Sequence, residues 1–542
     1  MKLLMKIGLF FLVFTTLKLN AQWSNDPANP LLLSTAPDNQ SKPVIISDNN
    51  EGNFVFWLDK RSGITNVYGQ HLNKMGNQLW ESNGRLIVES PIDIWDLNAV
   101  MNNEGNILLA WYRQGDTLFI QKYDSDATPL WAAPTNVAGD DATFTNTFWG
   151  PVGPIAMLVN GDGCFLAYNL TGWGYDNLLY NKVEGDGSLP WGYNGIQHVD
   201  MSPAGIGKIK LFSDGAGGAF LQSFRGLFYF SRFDSNGNVL WGEIAMNDCT
   251  GGTGGTYASH TYYEMQPDDD NGWIAAWTSA SDDVFATRID EDGAFVWTPE
   301  CQPILENPNQ QEDIAFTKSG DGYYATWRDS RIDAPGIYMQ KINDEGVTQW
   351  DEPIYVEDTS LYIPVMKSIA TSEGDIVVFY QTSWYFAAQK VYADGTTAWP
   401  QPLKILEGTY QPFYEDYQLF ATADNNVIGV AQYTSGLESN IVMFNLNWIS
   451  GDTITVDPVA ITSIEKNNIQ VFPNPVNDIL NIQSEQPVFE IVILDMHGAV
   501  VYRENTSGIF QKQFDLQALP KGVYVVKLTS ASGTEIQELV KS

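Results

Sequence analysis

The stretch Ile314-Ala-Phe-Thr-Lys-Ser-Gly-Asp-Gly-Tyr-Tyr-Ala-Thr-Trp327, continued by Ile337-Tyr-Met-Gln-Lys-Ile342, the turn Asn343-Asp-Glu-Gly346 and the run Gln349 to Val356, decides the fold. Its β-branched and aromatic runs are cut at hairpin length by Gly, Asn and Asp, so it reads as four short antiparallel strands. No helical period competes with that reading. The unit recurs. A turn with Asp or Asn and then Gly precedes Trp80, Trp131, Trp191, Trp241, Trp297, Trp350 and Trp399, at intervals of 51, 60, 50, 56, 53 and 49 residues. The turn before Trp131 lacks the glycine, reading Asp124-Ser-Asp-Ala127.

The second strand returns as Asn53-Phe-Val-Phe-Trp57, Ile107-Leu-Leu-Ala-Trp111, Cys164-Phe-Leu-Ala-Tyr168, Trp273-Ile-Ala-Ala-Trp277 and Ile376-Val-Val-Phe-Tyr380. The third returns as Val67-Tyr-Gly-Gln70, Leu118-Phe-Ile-Gln121, Ile337-Tyr-Met-Gln340 and Phe386-Ala-Ala-Gln389. Four antiparallel strands per period of about 50 residues predict propeller blades, each needing its neighbours to bury both faces. Eight units are expected, or seven if two irregular ones merge. The eighth has three strands, Tyr417 to Ala421, Val427 to Gln432 and Ile441 to Leu446, and no fourth. Trp23 and Asn29-Pro-Leu-Leu-Leu33 match the fourth-strand pattern of Trp350 and Glu352-Pro-Ile-Tyr-Val356, so the beginning of the chain is expected to complete the last blade and leave no open edge.

The chain opens with Lys2 and Lys6, an apolar run from Ile7 to Thr16, and Leu19-Asn-Ala21. That is the pattern of a secretory signal peptide cleaved after Ala21. A bilayer span needs about 20 apolar residues, and Lys18 interrupts this run. No later segment is apolar for long enough, so no transmembrane segment is expected in the mature chain. Loss of the signal takes the 29 basic residues to 26 against 65 acidic ones. So acidic a chain does not offer the basic footprint that nucleic acid demands. Three cysteines, Cys164, Cys249 and Cys301, are too few for a disulfide framework. Cys249 and Cys301 fall in equivalent parts of adjacent repeats and could form one bridge.

Composition shifts after Trp448. Residues 22–448 are expected to form the propeller, residues 449–463 a linker, and residues 464–542 a small immunoglobulin-like β-sandwich. The tail contains Pro473-Asn-Pro-Val-Asn-Asp478, a turn at Gly498 and Leu519-Pro-Lys-Gly-Val-Tyr524. In these motifs it resembles the type A C-terminal sorting domain of type IX secretion substrates, with Pro473, Asn474, Pro475, Asp478, Gly498, Leu519, Pro520, Gly522 and Tyr524 as the matching positions. The resemblance implies export across an outer membrane through that machinery, removal of the tail, and either release or attachment to the surface through a lipopolysaccharide. The physical reading beside it is that Pro473 and Pro475 fix an extended segment while Gly498 and Gly522 permit turns. The turns before each Trp, such as Asp290-Glu-Asp-Gly-Ala-Phe-Val-Trp297 and Ala393-Asp-Gly-Thr-Thr-Ala-Trp399, resemble the Asp-boxes of sialidase-like propellers, which are structural hairpins away from the active face.

An acidic and basic pair follows the second strand at Trp57-Leu-Asp59-Lys-Arg61 and Trp327-Arg328-Asp329-Ser-Arg331, with Arg113 and Arg225 similarly placed. Such loops gather on one propeller face. Asp59, Arg61, Arg113, Arg225, Arg328, Asp329 and Arg331 are therefore the candidates for a ligand face, with Trp173, Tyr175, Trp384 and Tyr385 as stacking groups. The plainer reading is that each Asp–Arg pair braces its own loop. No catalytic set stands out, and a linear sequence cannot select the two carboxylates that glycoside hydrolysis needs. The four histidines lack zinc spacing. Asp268-Asp-Asp-Asn-Gly272 begins like a calcium loop but has Ser279 where Glu is required, and it aligns with an ordinary inter-strand turn. No cofactor is expected. The favoured reading is an exported scaffold for a glycan or surface protein; the alternatives are a secreted glycosidase or lyase on the same fold and a purely architectural surface protein.

Overall fold

In the computed structural model the chain falls into two compact units, Met1–Asp457 and Pro458–Ser542. The structure describes Trp23, most of residues 30–447 and most of residues 470–541. The expected signal peptide and linker, and connections such as 139–153, 246–262, 359–365 and 408–416, lie outside the described residues. Among the described residues every regular element is a strand, and no helix is long and apolar enough to cross a membrane.

Among the described residues the first unit holds eight four-stranded antiparallel sheets, consistent with propeller blades. In chain order their first strands are Gln40–Ser47, Ile94–Met101, Ala156–Asn160, Gly207–Ser213, Tyr263–Pro267, Gln311–Ser319, Met366–Ala370 and Tyr417–Ala421. Second strands such as Asn53–Asp59 and Trp273–Thr278 are buried along their whole length. They lie inside a sheet that is covered on both faces, which is why their sequence is nearly continuous apolar residues rather than alternating. First strands are different. Ala156–Asn160, Met366–Ala370 and Tyr417–Ala421 each read one buried residue and then four half-buried ones, so they border water.

Polar side chains tie each first strand to the next sheet all the way round. Lys42 pairs with Asp96 at 3.0 Å, Asn98 donates to the Ile155 carbonyl, and Asn160 donates to the Gly217 carbonyl. Lys210 pairs with Glu264, Gln266 donates to the Phe316 carbonyl, Thr317 donates to the Ser368 carbonyl, and Lys367 donates to the Tyr417 carbonyl. The Ile45 amide, donating to Gln418, joins the eighth sheet back to the first. The fourth strand of the eighth sheet is Leu31–Leu32, which pairs with Met443 and Val442, and the Leu33 amide extends the ladder to the Ile441 carbonyl at 2.9 Å. The beginning of the chain therefore completes the sheet that its end leaves one strand short. The core of this seam joins Trp23, Leu31 and Leu33 to Trp57 and Met443.

The Trp–Gly repeat has a physical cause that the sequence hides: each pair spans two neighbouring sheets. Nε1 of Trp23 donates to the Lys74 carbonyl, that of Trp131 to Gly185, that of Trp241 to Glu291 and that of Trp297 to Asp344. Each acceptor lies two residues before the turn glycine of the following sheet. Gly76, Gly187, Gly293 and Gly346 have φ between +76° and +86°, and their Cα faces lie against those same indoles. A second set of contacts fixes each Trp within its own sheet. Gln121, Gln340 and Gln389 each donate to the carbonyl of the Trp ten residues on. This exchange replaces ladder pairing around Trp350, and the fourth strand, expected from Gln349, begins instead at Ile354.

The second unit is a single five-stranded sheet. The long strands Ile479–Asp495 and Val500–Asp515 pair throughout, with register shifts between Gln483 and Glu490. Gln470–Phe472 flanks the first half of this ribbon and Gly522–Ser530 the second. Leu480 and Ile482 from one half share a core with Ile491, Ile493 and Val526 from the other. The described strands of the tail thus form one sheet, where a sandwich of two sheets was expected. Val476 meets Lys541 as the ribbon closes.

Candidate functional site

The Asp–Arg motifs prove to be braces. Asp59 is fully buried. Its carboxylate accepts from Nε1 of Trp57 at 3.0 Å and from the Arg61 amide and Nε, both at 2.9 Å. Arg61 also donates to the Asn83 carbonyl and stacks on Tyr68, 3.9 Å from the ring centre. The sixth sheet repeats the design: Asp329 accepts from Trp327 and from the Arg331 amide, and Arg331 stacks on Tyr338 at 3.8 Å. Each Asp gathers the donors of one loop, and the flat guanidinium seals it against an aromatic on the third strand.

Asp59 and Arg61 belong to the first sheet and Asp329 and Arg331 to the sixth, with the second to fifth sheets between them in chain order. Arg113, on the second sheet, lies over Phe119 at 4.6 Å. Arg328 alternates to the other face of its strand and engages Glu312 and Asp313. Tyr385 is half-buried beneath Lys404. Trp173, Arg225 and Trp384 and the side chain of Tyr175 lie outside the described residues. The Asp268 turn is a hairpin, since one carboxylate oxygen accepts from the Asp270 and Gly272 amides and the other takes Arg288 at 2.8 Å. Among the described residues no three His, Cys, Asp or Glu side chains cluster as a metal site.

A feature that the sequence pattern does not reveal lies at the starts of the first strands. Those of the first, second, fourth and sixth sheets each carry one extra residue, shown by the register shifts Ser41/Val44, Ile94/Asp96, Gly207/Lys210 and Glu312/Ala315. Lys42, Lys208 and Asp313 sit inside these bulges at φ of 51°, 48° and 54°. Such backbone costs on the order of 1–2 kcal/mol in a non-glycine residue. In the second sheet the inserted residue is Trp95, whose indole is 39% exposed. Asp96 follows it, buried, and its ion pair with Lys42 spans the first and second sheets. Burial holds the Asp96 carboxyl above its ordinary range, against the opposing pull of Lys42. Ile64 and Ile92 are exposed in the adjoining loops, which the Ile94 amide ties together at the Thr65 carbonyl. The only sequence signal for this site was an apolar strand interrupted by Trp and Asp.

In the tail, Tyr524 donates its hydroxyl to the Pro520 carbonyl at 2.8 Å and closes the Leu519–Tyr524 motif on itself. Asp478 pairs with Lys541 of the last strand. Gly522 needs no turn conformation: its φ is ordinary and a Cβ there would meet only the Tyr524 ring, at 3.8 Å. The expected conformational role of this glycine is therefore not what the structure shows. Asn474, Pro475 and Gly498 lie outside the described residues.

Residues 470–542 match the secretion system C-terminal sorting domain. The tail is thus of the kind carried by type IX secretion substrates, and it implies contact with that machinery and delivery to the exterior or the cell surface. No curated protein matches the chain. Among solved structures it is similar to a prolyl endopeptidase, with 11% identity over 77% of this chain and 55% of that one and a TM-score of 0.38. It is also similar to oligopeptidase B from Trypanosoma brucei, with 8% identity over 74% and 54% and a TM-score of 0.39. A third likeness is to the neuraminidase-like protein of A/flat-faced bat/Peru, with 9% identity over 67% and 87% and a TM-score of 0.32. The chain spans about half the length of the two peptidases.

Proposed function

We propose that residues 22–448 form a closed eight-bladed propeller, exported after removal of a signal peptide at residues 1–21 and addressed by residues 464–542, and that it serves outside the cell as a binding scaffold. The observation that carries the binding reading is the set of four bulges at the same end of the first strands. Bulges re-aim side chains and gather beside functional sites, and here they insert Lys42, Trp95, Lys208 and Asp313 where the inner strands begin. The opposite end is built of tight turns locked by the Trp–Gly contacts.

Binding is favoured over hydrolysis by the state of the inner-strand carboxylates. Asp96 faces Lys42, Glu264 faces Lys210, and Glu312 and Asp313 face Arg328. Asp96 is held above its ordinary range, as a glycosidase acid would be, but such a pair also needs a second carboxylate free to attack or activate water, and Glu264, Glu312 and Asp313 are each held by a cation. The test is a screen of the secreted protein against immobilised glycans and chromogenic glycoside substrates. Retention without turnover supports a scaffold, and turnover removed by Asp96→Asn or Glu264→Gln overturns it. Deletion of residues 464–542 should leave the protein inside the cell; unchanged secretion would refute the address.

A further inference from the structure

We infer that the junction of the first and second sheets is a subsite for an uncharged saccharide, with Trp95 as the stacking platform for one pyranose ring and the Lys42–Asp96 pair as its hydrogen-bonding flank. This deepens the binding reading above and rests on it. Tryptophans on the second strands, Trp57, Trp111, Trp273, Trp277 and Trp327, are all buried. Trp95 alternates with the buried Ile94 and is carried outward by the bulge. An exposed indole forgoes the burial that makes Trp stabilising, while a flat apolar ring beside polar groups suits a sugar, whose ring faces are C–H and whose rim is hydroxyl.

The flanking pair fixes the chemistry further. The side chain of Lys42 is 40% exposed. Its ammonium has three donors, one of them directed at Asp96. A hydroxyl both donates and accepts, so it can join the pair without breaking it. An apolar protein surface would dry the pair and leave its remaining donors unmet, at a desolvation cost. The charges of Lys42 and Asp96 cancel, and the chain carries a net charge of −36, which repels acidic glycans at long range. An uncharged ligand escapes that repulsion.

The experiment is affinity electrophoresis of the full secreted chain through gels containing β-glucan, galactomannan or dextran, with alginate as the acidic comparison. At least one neutral polysaccharide should retard the wild type. Trp95→Ala should weaken retention about tenfold or more, Trp95→Phe should keep most of it, and Lys42→Met should weaken it several-fold. Leu130→Ala, which truncates an exposed apolar residue on the opposite hairpins, should change nothing. Trp95 is 39% exposed, so Trp95→Ala also loses packing; retention is therefore compared well below the melting temperature of each variant, which separates lost binding from lost folding. Equal retention of Trp95→Ala and wild type would overturn the subsite and leave the scaffold reading standing. Retention by alginate alone, or by no neutral polysaccharide, would overturn the ligand class.

Discussion

Replacing Gly346 by Ala puts the Trp–Gly seam to its sharpest test. Gly346 has φ of +77°, and a Cβ built there would stand 3.0 Å from Cη2 and Cζ3 of Trp297 and from Cγ of Gln302. A left-handed residue with a Cβ costs about 1–2 kcal/mol. The indole must then retreat, which stretches its 2.9 Å bond to the Asp344 carbonyl, and a lost hydrogen bond is worth about 1 kcal/mol. The sum is about 2–3 kcal/mol. Unfolding entropy near 2.1 cal/mol/K per residue makes a unit of this size lose roughly 1 °C per kcal/mol. A drop of about 2–3 °C in the melting of the first unit is therefore expected by calorimetry. In a Trp297→Phe background, which removes both crowded indole atoms and leaves Gln302 Cγ, the same substitution should cost less, by the indole's share. The molecule already contains the comparison. Ala127 occupies the glycine position of the second sheet at φ 58°, and Nε1 of the buried Trp80 that faces it has no hydrogen-bond partner. Ala127→Gly should accordingly stabilise the protein by about 1 kcal/mol. An unchanged melting point for Gly346→Ala, or an equal cost with and without the Trp297 indole, would refute this account of the repeat.

Four further outcomes are expected. Deleting residues 22–33 should expose the strand Glu438–Asn447 as a bare edge, so that size-exclusion chromatography shows association in place of a monomer. Asp329→Asn should destabilise by about 2–3 kcal/mol, since Arg331 keeps its charge and loses its counter-ion, yet leave glycan retention unchanged. Cys301 is disulfide-bonded and Cys164 is a buried free thiol. Cys249 lies outside the described residues, but it is the cysteine left to pair within the chain; alkylation of denatured protein should label one cysteine before reduction and three after it. Asp96 binds its proton more tightly folded than unfolded, where 3.8 applies. Ionised Asp96 thus costs stability above its folded pKa, and wild type should gain on Asp96→Asn as pH falls through that value toward 3.8; a gain on raising the pH would contradict the burial.

The fold was legible because its chief constraint is local. Hairpin turns need Asn, Asp and Gly at set offsets, and strands covered on both faces need unbroken apolar runs, so Asn53–Asp59 and Trp273–Thr278 declare themselves. The partner of each Trp was not legible. Trp297 and Gly346 lie 49 residues apart, and periodicity shows that both recur without showing that one sheet's Trp meets the next sheet's Gly. The same contact explains why Trp23 resembles the repeat tryptophans: it is the eighth of them, donating to the carbonyl before Gly76.

The Asp–Arg loops were legible because their residues are consecutive, but their partners were not. Asp59-Lys-Arg61 looks like a recognition loop because Asp and Arg serve ligands and braces equally well, and only the buried Trp57 N–H and the Tyr68 ring decide for the brace. Trp95 is hidden in the sequence for the converse reason. In a strand read by alternation, one extra residue turns a side chain from core to water, and nothing in Ile94-Trp-Asp-Leu97 announces that the partner strand advances one residue fewer. Register shifts between third and fourth strands recur in seven of the described sheets and so belong to the packing of the repeat, as does the one conformation that Gly76, Gly187, Gly293 and Gly346 share at the turns. The first-strand bulges occur in only four of the described sheets and are filled by two lysines, an aspartate and an exposed tryptophan, and it is on this difference from the repeat that the proposed ligand reading rests.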